Sequence, residues 1–509
     1  MRAALLALLL VSLSACNTLP DAPQMEVELA FEPSLIGDLA DIAGDIAPQH
    51  SSFYLLPRAL DAMNWRLALI DSAELSIDIQ YFIWKDDASG ALMLEHLFAA
   101  ADRGVKVRMI VDDMFLSTGG AFSGADEALA AISFHPNIQL SLFNPGKYRD
   151  GIAGLAGNFG GSLKDYNRRM HNKLMVFDGL FTVVGGRNIG DEYFGLHEPY
   201  NFVDLDLLAT GIIANESSTF FDQYWNSDLV YPAAELTDMD TAGYETLRLT
   251  NSDYVRSQSG RLQVFSNEAR DEAYYVSVLH NEMSPGFAVF LQDEPVLRGK
   301  REFRLADMLG ETVLPGVHEV VLSSPYLIPV EGFLESVLED VNAGVEVSLL
   351  TNSLASNDAT PAHSHYKKYR QNILATGAKL YEFHHEPIGG MRKLSDAAPG
   401  LDTFVALHTK AFSVDGMQCF IGSLNIDPRS VNLNTENGIY IESSGVCGQL
   451  SRLLYSFTTP ENAWSVSLNE KNKLKWSSYE GSVTTQPALG LGQRISDFFF
   501  RLLPVERQL

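Results

Sequence analysis

Apolar and polar positions alternate along Ser76–Trp84 (SIDIQYFIW), the period expected of a half-buried strand. Leu67–Asp71 ahead of it reads as the end of a helix. Ala91–Ala101 has helical spacing and is stopped by Gly104, after which Val105–Val111 (VKVRMIV) and Ile138–Pro145 (IQLSLFNP) read as strands. The same series returns later in the chain. Glu319–Leu327 reads as a strand, Gly332–Asn342 as a helix stopped by Gly344, and Val345–Leu350 and Ala378–Glu386 as strands. Strand, helix, strand in this order implies right-handed parallel crossovers and an α/β sheet with helices on its faces. The recurrence points to an internal duplication of units of roughly 200 residues. Leu236–Leu262 is polar, rich in Thr, Ser and Asp, and lacks an apolar period. The expected layout is therefore a first α/β domain at 51–235, a linker at 236–262, and a second domain at 263–509 that includes a C-terminal extension.

Composition narrows the class. The 509 residues are 46% hydrophobic and 20% charged, which fits a folded globular protein. The formal net charge of −27 argues against a general nucleic-acid binder, which needs clustered Lys and Arg. The N-terminus stands apart. Arg2 precedes an apolar run, Ala3–Leu13, too short to span a bilayer, and Leu13-Ser14-Ala15-Cys16 resembles the lipobox of bacterial lipoproteins. Residues 1–15 are expected to be a signal peptide. Cys16 is then the lipidated residue, and 16–50 form a tether and N-terminal arm that leave a soluble body facing the periplasm of a bacterial envelope. Asn17, where inner-membrane retention is associated with Asp, leans the expectation to the outer membrane. Cys419 and Cys447 remain, as a disulfide or as two buried thiols.

The chemistry sits in a paired motif. His171-Asn172-Lys173 is followed after four residues by Asp178, then by Gly185, Gly186 and Asn188. His408-Thr409-Lys410 is followed after four residues by Asp415, then by Gly422, Ser423 and Asn425. This composition gives about 0.02 chance matches to H-x-K-x4-D. Two copies with the same downstream spacing resemble the phospholipase D superfamily, over nearly all of the mature chain. Asp427-Pro428-Arg429-Ser430, Asn434-Thr435-Glu436, Gly186-Arg187-Asn188-Ile189-Gly190-Asp191-Glu192-Tyr193-Phe194 and Leu502-Leu503-Pro504-Val505-Glu506 are similar to the bacterial cardiolipin synthase C branch. The resemblance implies two like α/β domains, each with a mixed, mostly parallel sheet flanked by helices, and an active site at their interface.

His and Lys two apart on a strand point to one side. Lys173, Lys410, Asn188, Asn425 and Ser423 would set donors and positive charge around a phosphodiester, where charge builds during displacement. Attack and departure are in line on opposite faces of phosphorus, so one His cannot serve both, and two are needed. The resemblance implies a covalent phosphohistidine, resolved when the second His deprotonates an alcohol or water, with no metal or other cofactor. His171 is taken as the nucleophile and His408 as acid/base. Each ring needs an acceptor on its other nitrogen. Glu436 is the second-half candidate. The first half lacks the matching pattern, and Phe202-Val203-Asp204-Leu205-Asp206, read as a strand with both acids on one face, offers Asp204. Asp178 and Asp415, though part of the catalytic motif, are expected to hold a turn or strand.

Rival features carry less. His384-His385-Glu386 and His363-Ser364-His365 have poor metal-ligand spacing. Asp112-Asp113 reads as a strand-end cap. The glycine-rich 151–161 lacks the nucleotide-loop pattern and is a flexible connection or an acyl-admitting loop. Phe498-Phe499-Phe500, Leu502 and Leu503 touch a bilayer or close a core, and Trp84 and Tyr326 line the site or a core. The expected activity is a phosphatidyl transfer between membrane phospholipids such as phosphatidylglycerol. Hydrolysis to phosphatidic acid is the close alternative; a nucleic-acid phosphodiesterase or a non-catalytic envelope protein is more distant.

Overall fold

A computed structural model describes residues 50–114, 125–146, 167–236, 241–267, 272–296, 304–388, 390–397 and 404–508. The segments expected to be a signal peptide and a tether, with Cys16, up to residue 49, and the glycine-rich 151–161 lie outside the described residues. The first half runs β1 (Ser51–Leu56), α1 (Ala59–Ser72), β2 (Ser76–Tyr81), α2 (Ala88–Asp102), β3 (Lys106–Asp112), α3 (Ala125–Ile132), β4 (Ile138–Phe143), β5 (Lys173–Phe177), β6 (Phe181–Gly185), β7 (Tyr200–Val203), β8 (Asp206–Gly211), α4 (Ile212–Trp225) and β9 (Val230–Pro232). Three helices follow: α5 (Thr241–Ser257), α6 (Ser259–Asn267) and α7 (Glu272–Asn281). The second half runs β10 (Ser284–Gln292), α8 (Leu305–Thr312), β11 (Glu319–Ser323), α9 (Phe333–Asn342), β12 (Glu346–Asn352), α10 (Thr360–Tyr366), α11 (Arg370–Ala375), β13 (Lys379–Phe383), α12 (Arg392–Ser395), β14 (Phe404–Leu407), β15 (Ala411–Val414), β16 (Gln418–Gly422), α13 (Pro428–Asn432), β17 (Asn437–Glu442), α14 (Ser444–Phe457), β18 (Ala463–Leu468), β19 (Leu474–Ser478), β20 (Gly481–Val483) and α15 (Leu491–Arg501).

The pairings repeat. β2, β3 and β4 are parallel neighbours, as are β11, β12 and β13, each step bridged by chain that includes a helix. The motif strands form antiparallel hairpins beside them: β2–β5–β6–β8 in one half and β11–β15–β16–β17 in the other. Each half is thus a mixed sheet with helices on its faces. Among the described residues two strand pairings join the halves, besides an isolated bridge between Met170 and Thr435. β1 pairs antiparallel with β10, Ser51 opposite Gly286, which makes the two sheets continuous. β7 pairs parallel with β14, Phe202 opposite Ala406, and the two strands end one residue before Asp204 and His408. Between the sheets lies one apolar core in which Met170, Leu174, Val203 and Leu205 pack with Val405, Leu407, Ala411 and Ile421.

The stretch 236–262 carries α5 and the start of α6. It docks on the first half, with Tyr244 against the Phe98 ring at 5.9 Å and Leu262 in the same core as Met63 and Phe98. Its contacts come from a few scattered apolar residues on long polar helices, so no stripe shows in the sequence. The Phe202–Asp206 segment breaks between β7 and β8: Asp204 turns to the cleft, while Asp206 accepts from Arg66 at 2.9 Å. Cys419 and Cys447 are disulfide-bonded, tying β16 to α14. Among the described residues no helix is long and apolar enough to cross a membrane.

Candidate active site

β5 begins at Lys173 and β15 at Ala411, the residue after Lys410, so His171 and His408 stand just before a strand, at the edge where the halves meet. Two reciprocal backbone bonds fix them. His171 N donates to Thr435 O and His408 N donates to Val203 O, both at 2.8 Å. Each acceptor is the residue immediately before a carboxylate of the opposite half. The side chains follow: His171 Nδ1 meets Glu436 Oε2 at 2.8 Å, and His408 Nδ1 meets Asp204 Oδ2 at 2.5 Å. Both orienting acids belong to the site, but each serves the other half's histidine. The expected pairing, Asp204 with His171 and Glu436 with His408, is corrected by the interface strands, which carry each acid across the boundary.

With Nδ1 held by a carboxylate, Nε2 is the ring nitrogen left for chemistry. Phe82 lies edge-on to His171 at 4.9 Å, and Phe202 and Tyr193 flank His408 at 4.7 and 5.3 Å. The lysines are symmetric too. Lys173 Nζ donates to His171 O and Lys410 Nζ to His408 O, each at 2.6 Å, and Lys410 Nζ also lies 3.0 Å from His408 Nδ1. Burial, then the neighbouring lysine cations, holds both imidazoles well below the ordinary histidine range. Each ring feels the lysines of both halves, which places the two motifs in one cleft. Burial brings Lys173 down to about 7 and Lys410 to about 8, against the pull of Glu436 and Asp204. Glu436 is raised by burial to about 7. These groups are buried together, and burial is the first cause of each shift.

The remaining motif residues divide. Asp178 accepts from the amides of Glu74, Leu75 and Ser76 at 3.0, 2.8 and 2.8 Å. Asp415 accepts from those of Val317, His318 and Glu319, all at 2.8 Å. Both have φ near +50° and end the motif strand, roughly 17 Å of extended chain from the lysine. They are structural pins for β2 and β11. The Ser423 hydroxyl, expected to face a phosphate, donates to Glu436 Oε2 at 2.5 Å and accepts from Asn437 N. Gly186 holds the matching place in the first half, where a Cβ would stand 2.2 Å from Asp204 Oδ1. Asn188 accepts from Ile83 N and donates to Tyr193 Oη at 2.8 Å, leaving one amide hydrogen. Asn425 Oδ1 is buried and takes no hydrogen bond, so that amide is committed to no protein group through its oxygen.

Sequence reasoning gave no role to Phe82, Tyr193, Phe202 or Arg429. Phe82 shares the end of the strand that carries Trp84, and Phe202 immediately precedes the Val203-Asp204 pair, so nearness was the available signal. Arg429 donates to Asn167 Oδ1 at 2.9 Å, and its charge reaches His171. Trp84 is half-buried and joins Ile189 in an isolated bridge; Tyr326 Oη donates to Asp358. Asp112 accepts from Met170 N at 2.8 Å and Asp113 from Gly146 N at 2.8 Å, as strand-end caps do. His363 and His365 are engaged by Asp497 and Glu506, and His384 stacks on His385. No group of three or more metal-binding side chains occurs among the described residues.

A groove of about 860 Å³ opens between α8 and α9 on the outer face of the second sheet. Val320, Leu322, Phe412, Val414 and Phe420 form its floor, and one end reaches Lys410, Ser323 and Ile426. The corresponding face of the first half, with Ile77, Ile79, Met175 and Phe177, is sealed in a core with α1 and α2.

The family model described as "Cardiolipin synthase, PLD-like domain" matches residues 67–225 and 315–456, one segment in each half. Cardiolipin synthase C of Escherichia coli (strain K12) is 32% identical over 473 residues, covering 90% of this chain and 96% of that protein. Cardiolipin synthase 2 of Staphylococcus epidermidis is 24% identical over 75% of this chain and 63% of its own length. The crystal structure of phosphatidylserine synthase from Haemophilus influenzae Rd KW20 shares the fold, with a TM-score of 0.55 at 13% identity, over 84% of this chain and 92% of that one. With its two motif copies meeting in one cleft, the chain belongs to the cardiolipin synthase family of phospholipase D-like enzymes.

Proposed function

We propose that this protein moves a phosphatidyl group from one phospholipid to the hydroxyl of another, through a phosphohistidine. The observation that carries the reading is the reciprocal pairing: two histidines from two halves, each held at Nδ1 by the other half's carboxylate. His171 Nε2, neutral because burial and the lysines disfavour its cation, attacks phosphorus. The P–N bond forms as the P–O bond to the leaving headgroup breaks, and His408, protonated in the substrate complex, gives its proton to the departing alkoxide. The anionic substrate raises the affinity of His408 for that proton, and the close Asp204 carboxylate steadies the imidazolium. Lys173, Lys410, Asn425 and the spare amide hydrogen of Asn188 face the charge that builds on the phosphoryl oxygens. In the second step His408 takes the proton of the incoming lipid alcohol. That oxygen attacks phosphorus, and the P–N bond breaks to restore His171.

The apolar groove ending at Lys410 suits an acyl chain, which favours a lipid over a nucleic-acid substrate, as does the −27 charge. Lipidation at Cys16, with the body facing the periplasm from the outer membrane, would keep the cleft near such lipids; it belongs to the same proposal. The test is incubation with phosphatidylglycerol labelled on an acyl chain and, in a parallel sample, on the headgroup. Cardiolipin with released glycerol is the expected result. Phosphatidic acid alone would replace transfer by hydrolysis, and an unchanged lipid would refute both.

A further inference from the structure

The C-terminal helix α15 is docked by its polar side and bare on the other. Asp497 is buried and accepts from His363 Nδ1 at 3.2 Å, from Gln486 Nε2 at 3.0 Å and from Lys367. Gln493 Nε2 donates to Leu354 O at 2.6 Å. The opposite stripe, Leu491, Ile495, Phe498, Phe499 and Leu502, follows helical spacing. It is 73%, 48%, 56%, 62% and 64% exposed, so these residues do not close a core. Large apolar side chains contiguous on a surface mark an interaction site.

Two observations say what covers it. The first is charge. The chain is strongly acidic, yet residues 489–503 carry Arg494 and Arg501 against Asp497 alone, and Asp497 is turned inward. Phenylalanines and leucines bordered by arginines are the make-up of a helix that lies in an anionic lipid interface. The second is position. Beyond α15, Glu506 accepts from His365 and Lys368, and Gln508 O accepts from Arg429 at 3.1 Å, whose cation reaches His171. The bare stripe therefore sits on the same C-terminal segment that braces the cleft.

We propose that α15 lies in the plane of a phospholipid bilayer, with its apolar stripe in the headgroup–acyl boundary, and holds the cleft at the lipid surface. This rests on the reading that the substrate is a bilayer lipid. The occupant is the bilayer, not a second copy of the chain.

The test uses the full chain with an environment-sensitive fluorophore on Phe499→Cys, a control label on Ser482→Cys of the exposed β19–β20 hairpin, and the unsubstituted chain labelled in parallel as background. Adding phosphatidylglycerol–phosphatidylethanolamine vesicles should blue-shift and brighten the label at 499 and leave 482 unmoved, an outcome an N-terminal anchor alone cannot produce. No change at 499, or a change on concentrating the protein without vesicles, would overturn the proposal; the latter would assign the face to a second copy. In addition, Phe498→Glu/Phe499→Glu should lower turnover of vesicle-borne phosphatidylglycerol tenfold or more and change turnover of a monomeric short-chain analogue less than twofold. Equal losses on both would count against the membrane role. If neither lipid is turned over by the parent chain, the proposed activity fails, while the fluorescence result still decides the fate of α15.

Discussion

Replacing Glu436 by Gln probes the crossed pairing most sharply. Glu436 Oε2 faces His171 Nδ1 at 2.8 Å and receives the Ser423 hydroxyl at 2.5 Å, in a site with no exposure. Above pH 7, where Glu436 is ionised, Gln keeps the shape and removes the charge, so a charge-assisted hydrogen bond becomes a neutral one. A charge-assisted bond is worth about 1.5–3 kcal/mol and a neutral one about 0.5–1.5, so the difference is about 1–1.5 kcal/mol, roughly 5- to 13-fold in a rate that depends on His171. Removing an anion beside an imidazole lowers its proton affinity, and the effect decays with distance. His171 should therefore shift down more than His408, and Asp204→Asn should do the reverse. The assay is an NMR titration of Cε1-labelled histidines, with the cleft signals assigned from His171→Gln and His408→Gln, alongside kcat for both variants. A larger shift of His408 than of His171 in Glu436→Gln would falsify the crossed arrangement, and a loss in kcat below threefold would deny Glu436 its positioning role.

Four further outcomes follow from the geometry. Asp415→Ala strips the partner from three amides and should cost about 1–3 kcal/mol of stability with kcat nearly unchanged. Because its folded pKa is depressed, Asp415's contribution should be present above the unfolded carboxylate range and disappear as pH falls through the folded value, so acid unfolding curves of parent and variant should converge. Lys173 at about 7 and Lys410 at about 8 are largely or partly neutral in the free cleft at pH 8.5, so binding of vanadate should take up more protons in the parent than in Lys410→Met, where His408 remains to take one up; calorimetry in buffers of different ionisation enthalpy that finds equal uptake would separate Lys410 from the anion. Breaking Cys419–Cys447 with Ser at both positions opens a 28-residue separation and should lower unfolding stability by about 3–4 kcal/mol on the loop-entropy relation, read from denaturant midpoints with and without reductant. Leu322→Trp should fill the groove and lower kcat/KM for long-chain lipids more than for short-chain ones; equal losses would remove the groove from the substrate path.

Much of the fold is written locally. The strands before and after Gly104 and Gly344 show in the sequence because alternation and glycine stops are short-range signals, and β2, β3, β11 and β12 lie where the pattern puts them. The motif residues were legible because spacing in a hairpin is also local, and the turn-holding role of Asp178 and Asp415 followed from their place at a strand end. What was hidden depends on the meeting of distant segments. His171 and Glu436 are 265 residues apart, and nothing in either half says that the interface strands exchange their acids. The hydrogen bond from Ser423 to Glu436, 13 residues on, does not show in the motif spacing. Asp204 and Asp206 share one face of a continuous strand in the sequence reading, which favours Asp204; the break between β7 and β8 sends Asp204 to the cleft and Asp206 to Arg66. The helices of 241–267 pack through isolated residues such as Tyr244 and Phe265, too few to set a period.

The central claim is that one phosphorus is handled by two histidines from the two halves. A quenched single turnover with radiolabelled phosphatidic-moiety donor tests it directly, followed by peptide mapping of the acid-labile label. The label should appear on His171 in the parent chain and vanish in His171→Ala, with turnover lost in both His171→Ala and His408→Ala. A chain that keeps lipid turnover after either histidine is removed, or that carries no histidine-bound label in any quench, would contradict the account.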